Sequence, residues 1–134
     1  MSIVKDKPKL NNKIDDKFQT SLYLSININF ERYGEGGLRK KNIFKVSEIN
    51  KPLISIITTN LNDDIESTIL SVIDQDYENI EFIIIDGGSN KNTIKILNFY
   101  DEKIDYWVSE KDKGIYDAFN KGMKLSVGEF ICFV

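Results

Sequence analysis

The chain has 134 residues, no histidine, one cysteine and a formal charge of −3. That length suits one small domain or part of a larger one, and the acidic balance argues against a surface built for nucleic acid. Without histidine, Ser-His-Asp and Cys-His catalysis are excluded, and any metal would have to be held by oxygen. The N-terminus lacks an apolar core of signal-peptide length, and nowhere is there an unbroken apolar stretch of roughly 18 residues, so the expected location is cytoplasmic.

Residues 1–50 read as an extension, polar and rich in Asn and Lys. Within it Leu22, Leu24, Ile26, Ile28 and Phe30 alternate with polar residues and predict one half-buried strand. The glycine-rich stretch from Tyr33 to Lys41 has cations behind it but no Walker spacing, and reads as a connecting or docking loop. From Lys51 onward, short β-rich runs alternate with amphipathic segments, the pattern of β-α-β units. A strand is predicted over 53–58, then a helix capped by Asp63 or Asp64 with Ile65, Ile69, Val72 and Ile73 at helical spacing. A second strand covers 80–85, where an apolar run without alternation suits a parallel strand covered on both faces. Its helix is capped by Ser89 or Asn92 and buries Ile96, Leu97 and Tyr100. A third strand lies near Tyr106-Trp107-Val108. The last helix covers 115–125, with Ile115, Ala118, Phe119, Gly122 and Met123 on one face and Gly128 as a stop signal. Residues 129–134 form a fourth strand holding Cys132 as a buried structural thiol. The expected architecture is an α/β, Rossmann-like parallel sheet over 51–134, cut off after its fourth strand and therefore marginal or prone to associate.

Three polar segments fall at predicted carboxyl ends of strands, where ligands of open α/β sheets bind. They are Thr58-Thr59-Asn60-Leu61-Asn62, Asp86-Gly87-Gly88-Ser89, and the run from Ser109 to Gly114. Each alone has a structural reading: a polar turn, a helix-capping acid, a solvated charge run. Together they suit a nucleotide, because a carboxylate can accept from a base edge and glycines let backbone approach closely. Asp86 is then the base or ribose acceptor, Gly87 the point of close approach, Thr59 and Asn60 short polar contacts, and Leu61 an apolar surface against the ring.

At this point the residues resemble glycosyltransferase family 2, whose donor half has the GT-A type of Rossmann-like sheet. The resemblance runs through PLISIITTNLN, STILSVIDQDYENIEFIIIDGGSNKNT and IDYWVSEKDKGIYDAFNKGMKLSVGEFICF, and GEGGLRKKNIFK looks like a leader seen before such domains. It implies inverting transfer of a sugar from a nucleotide diphosphate, uridine being the family default, to a saccharide or lipid-linked acceptor in surface polysaccharide or glycolipid synthesis. Carried over by position, Thr59 and Leu61 line the nucleobase site, Asp86 contacts base or ribose, and Asp112, Gly114 and Asn120 close the donor pocket. Lys113 and Lys121 are weaker candidates for phosphate contacts. The loop between Asn62 and Ser67 is shorter than usual in the family, which alters the outline of the nucleobase pocket. The family's acidic motif for a divalent cation, manganese or magnesium, would begin after Val134, with the catalytic base further on. The expectation is thus a donor-binding half with no metal ligands and no activity of its own, cytoplasmic or docked at the inner face of the membrane. A non-catalytic nucleotide-binding module is the alternative.

Overall fold

The computed structural model describes residues 3–8, 20–26 and 31–134. The strands are β1 (Ile3–Val4), β2 (Arg32–Gly36), β3 (Phe44–Lys45), β4 (Ile54–Asn60), β5 (Ile80–Asp86), β6 (Tyr106–Glu110) and β7 (Phe130–Phe133). The helices are α1 (Ile65–Ile73), α2 (Lys91–Phe99) and α3 (Ile115–Leu125). A five-stranded sheet has the order β2-β6-β5-β4-β7, while β1 and β3 make a separate small ladder. β4, β5, β6 and β7 are parallel, and β2 closes one edge antiparallel to β6. The α/β expectation holds, with an antiparallel edge strand added.

Alternation along the strands divides the core in two. Ile56, Phe82, Ile84 and Trp107 pack with Ile65, Ile69 and Val72 of α1 and Leu97 of α2 on one face. Ile83, Ile85, Tyr106 and Val108 pack with Ala118 and Leu125 of α3 on the other. β5 is buried along nearly its whole length because helices cover both of its faces. From β4 the chain winds outward through β5 to β6, and α3 then returns it across the sheet to β7 on the far side of β4. The strand order reverses at β4, which makes its carboxyl end the expected ligand crevice.

Asp64 caps α1 as predicted, but α2 is capped by Asn90, whose Oδ1 accepts from the Asn92 and Thr93 amides. Ser89 is occupied elsewhere. On α3 the buried face is Ala118, Gly122 and Leu125, while Ile115 is exposed. Cys132 is exposed rather than buried, since β7 is an edge strand whose Phe130, Ile131 and Phe133 are also exposed. The strand predicted around residue 26 is not formed over 22–26, and Ile28 and Phe30 lie outside the described residues.

The glycine-rich stretch gives the largest correction, because its first half is strand β2 and not a loop. β2 lies flat over the indole of Trp107, and a Cβ at position 36 would fall 2.5 Å from Trp107 Nε1. Only glycine lets the strand lie there. The same indole donates to Asp101 Oδ1 at 2.7 Å, which also accepts from the Gly37 amide at 2.6 Å. The 3-10 turn Leu38–Lys41 then buries Arg39 under the sheet. Its Nη2 donates to Glu81 Oε2 at 2.7 Å, and its Nη1 donates to the carbonyls of Leu22 and Leu125 at 3.1 and 2.8 Å. Glu81 Oε1 accepts from Ser55 Oγ and from the Val127 amide. Both charges are thus paired and hydrogen-bonded, the condition for keeping them buried.

Gly36→Ala should cost about 2–4 kcal/mol, the range for overpacking combined with a broken part-buried hydrogen bond, measured by urea unfolding followed through Trp107 fluorescence. A pH dependence follows from Asp101. Burial tends to raise its pKa, but the bonds from Trp107, Gly37 and Lys41 prevail and hold it below its ordinary value near 3.8. A depressed folded value stabilises above the ordinary range and loses that effect as pH falls through the folded value. The stability gap between the native chain and Asp101→Asn should therefore narrow as pH falls from about 5 to about 3, as thermal melts would record.

Candidate functional site

The parallel register sets Asn60, Asp86 and Ser109 side by side at the carboxyl ends of β4, β5 and β6. Their side chains share one face and converge on the Asp86 carboxylate. Oδ1 accepts from Asn60 Nδ2 at 2.8 Å and Ser89 Oγ at 2.5 Å, and Oδ2 accepts from the Ser89 amide at 2.8 Å and Ser109 Oγ at 2.6 Å. Ser89 Oγ also accepts from the Asn62 amide at 2.8 Å, and Asn62 Oδ1 takes the Asn90 amide at 3.2 Å. One carboxylate and one serine thereby tie together the loops after β4 and β5 and the end of β6.

Asp86 is 0% exposed, and four donors fill the acceptor positions a carboxylate has. The expectation that it faces a ligand is corrected: its side chain turns inward and organises the rim. The physical reason is the row of hydroxyl and amide donors that the register brings to it. Gly87 also has a different use, since a Cβ there would stand 2.9 Å from Asp112 Oδ2. Its bareness lets Asp112 lie against the turn.

Five of the other predicted residues do meet. Thr59, Asn60, Leu61, Asp112 and Gly114 line one cleft of about 160 Å³ at the carboxyl end of β4, together with Asp63, Ile115 and Ala118. The last three were not singled out as site residues. Ala118 was legible only as part of the core face, and Asp63 only as a possible cap. Asp112 Oδ1 accepts from the Gly114 amide at 2.9 Å, while its Oδ2 has no partner among the described residues. Gly114, at φ 108°, begins α3 without a side-chain cap, so an uncapped first turn borders the cleft. Asn120 is exposed on α3 and is not on the cleft wall. Lys121 is committed to Glu110 Oε1 at 3.1 Å and Asp117 Oδ2 at 3.5 Å, which fastens α3 to the end of β6. Lys113 is exposed, and its amide donates to Asp117.

Two larger grooves, about 570 and 400 Å³, lie beside the carboxyl-terminal halves of α1 and α2, away from the strand ends that carry the convergent polar groups. Position and chemistry favour the smaller cleft. Among the described residues, no group of three or more Asp, Glu or Cys gathers to hold a metal ion, and no helix is long and apolar enough to cross a membrane.

With this geometry in place, residues 54–134 match the model of a family described as glycosyl transferase family 2. The chain belongs to glycosyl transferase family 2. It is 38% identical over 86 residues to an uncharacterized glycosyltransferase of Mycobacterium tuberculosis, covering 62% of this chain and 33% of that protein. It is also 38% identical over 85 residues to WfgD of Escherichia coli, a UDP-Glc:alpha-D-GlcNAc-diphosphoundecaprenol beta-1,3-glucosyltransferase, covering 61% of this chain and 34% of that one. A glycosyltransferase of Haemophilus influenzae is 35% identical over 91 residues, covering 64% and 36%. The chain spans about a third of the length of these curated relatives. The family match begins at β4, so β2 and the Arg39 turn lie ahead of it.

Replacing Asp86 by Ala would leave buried donors on Asn60, Ser89 and Ser109 unpaired, at a cost of at least about 2 kcal/mol in urea unfolding. Asp112→Asn, half-buried and bordering open space, should change stability by less than about 0.5 kcal/mol.

Proposed function

We propose that the chain forms the donor-binding part of an inverting glycosyltransferase that takes a nucleotide-diphosphate sugar, with UDP as the nucleotide. The observation that carries this is the meeting of Thr59, Asn60, Leu61, Asp112 and Gly114 on one cleft at the point where the strand order reverses. The free oxygen of Asp112 is suited to accept an N–H of the base or a ribose hydroxyl, a charge-assisted bond. Thr59 and Asn60 offer short polar contacts, and Leu61 and Ile115 an apolar wall. The uncapped start of α3 favours negative charge nearby. Asp86 acts one layer below, holding the three loops in place.

Apart from Asp63 and Asp112 the cleft wall carries no ionisable group, so this chain's part in the reaction is to hold the donor. A divalent cation, manganese or magnesium, would neutralise the diphosphate of the donor, and no step is assigned to it. The family and the name of the Escherichia coli relative support a saccharide or lipid-linked acceptor and a role in polysaccharide or glycolipid synthesis, and we place that role in the cytoplasm or at the inner face of the membrane.

Calorimetric titration with UDP tests the reading. The native chain should bind, and Asp112→Asn and Thr59→Val should each weaken binding about tenfold, corresponding to one lost hydrogen bond. A native chain that does not bind UDP, or variants that bind it equally well, would sink the assignment.

A further inference from the structure

β2 lies ahead of the family-matched residues, yet its first residues sit at the rim beside the candidate site. Because β2 is antiparallel to β6, Arg32 pairs with Glu110, the last residue of β6. The register shifts between Arg32 and Gly34, which leaves Tyr33 as the extra residue of an irregular pairing. Such bulges re-aim a side chain, and they are common next to sites. Here the ring is turned over the loop after β5. A Cβ at position 88 would lie 3.0 Å from Tyr33 Cε2 and 3.5 Å from the Lys111 amide nitrogen, and Gly88 has φ 89°, which also favours glycine. The adjacent Gly87 touches Asp112 on the cleft wall. Ring, bare backbone and Asp112 therefore form a continuous strip running from the sheet edge to the cleft.

Tyr33 is 44% exposed, and its hydroxyl has no partner among the described residues. Its backbone is nonetheless firmly held. Arg32 Nε donates to Glu110 Oε2 at 2.9 Å, and its two terminal nitrogens donate to the carbonyls of Leu24 and Ser25 at 3.0 Å each. Glu110 is in turn bound by Lys121 of α3. A fixed, half-exposed aromatic ring beside backbone without side chains is a platform for a flat ligand ring. With the Asp86 carboxylate occupied internally, base recognition has to draw on other rim groups.

We propose that Tyr33 is a ligand-contacting residue of the nucleotide site, forming the outer wall against which the nucleobase of the donor packs. This rests on the nucleotide-binding reading above. The test uses the whole chain with UDP as probe. Transferred nuclear Overhauser effects should connect the uracil H5 and H6 protons with a tyrosine ring, and Tyr33→Ala should abolish them. In calorimetry Tyr33→Ala should weaken UDP binding about tenfold, as for loss of one base–aromatic contact, while Tyr33→Phe binds within about twofold of the native chain. If the native chain binds UDP without such Overhauser effects, or Tyr33→Ala binds as tightly as the native chain, Tyr33 is not part of the site and the donor-binding reading stands without it. If the native chain does not bind UDP at all, both fall together.

Discussion

The rim of this domain depends on one buried carboxylate. Asp86 takes hydrogen bonds from the end of β4, the end of β6 and the start of its own following loop, so the ends of three strands are fixed by a single acceptor. A buried carboxylate is tolerable only when its acceptor positions are filled, and here side chains and backbone fill them without help from a ligand. The rim is therefore held together by the chain's own groups. Asp112 lies beside this arrangement, and its Oδ2 has no partner among the described residues.

The edge formed by β2 is the second constraint. In a parallel sheet an edge strand exposes unpaired backbone and apolar side chains, and β6 carries both Tyr106 and Trp107. β2 covers β6 on one side, and its glycines bring the backbone down onto the indole. Two guanidinium groups from the same segment then meet buried glutamates, Arg32 with Glu110 near the rim and Arg39 with Glu81 at the opposite end. Glu35, between them in sequence, accepts the Tyr106 hydroxyl at 2.6 Å. Polar and apolar groups thus fit one another along the whole edge.

Most of the fold from β4 onward was legible in the sequence, because its signals are local. The unalternating run 82–85 announces a strand covered on both faces, and α3 was read with the bounds it has. What could not be read depends on pairing. The glycines of β2 look like a loop until Trp107 is known to lie beneath them, and Ser89 looks like a cap until Asp86 is known to need it. The site divides in the same way. Thr59, Leu61, Asp112 and Gly114 meet on one cleft because the loops after parallel strands gather at one rim, whereas the inward turn of Asp86 follows from a register that places Asn60 and Ser109 on either side of it. Tyr33 carried no signal, since its position at the rim comes from an antiparallel strand in a stretch that reads as a connector.

The buried Arg39–Glu81 pair has a consequence for how the chain behaves as a unit. Glu81 lies on the second strand of the family-matched segment, and its guanidinium partner lies ahead of that segment. A protease cut between residues 45 and 54 would therefore not release a self-sufficient core: the two pieces should stay associated or unfold together. The leader behaves as a built-in cofactor for folding, and homologous swaps that exchange one piece without the other would bring an unmatched charge into the interior.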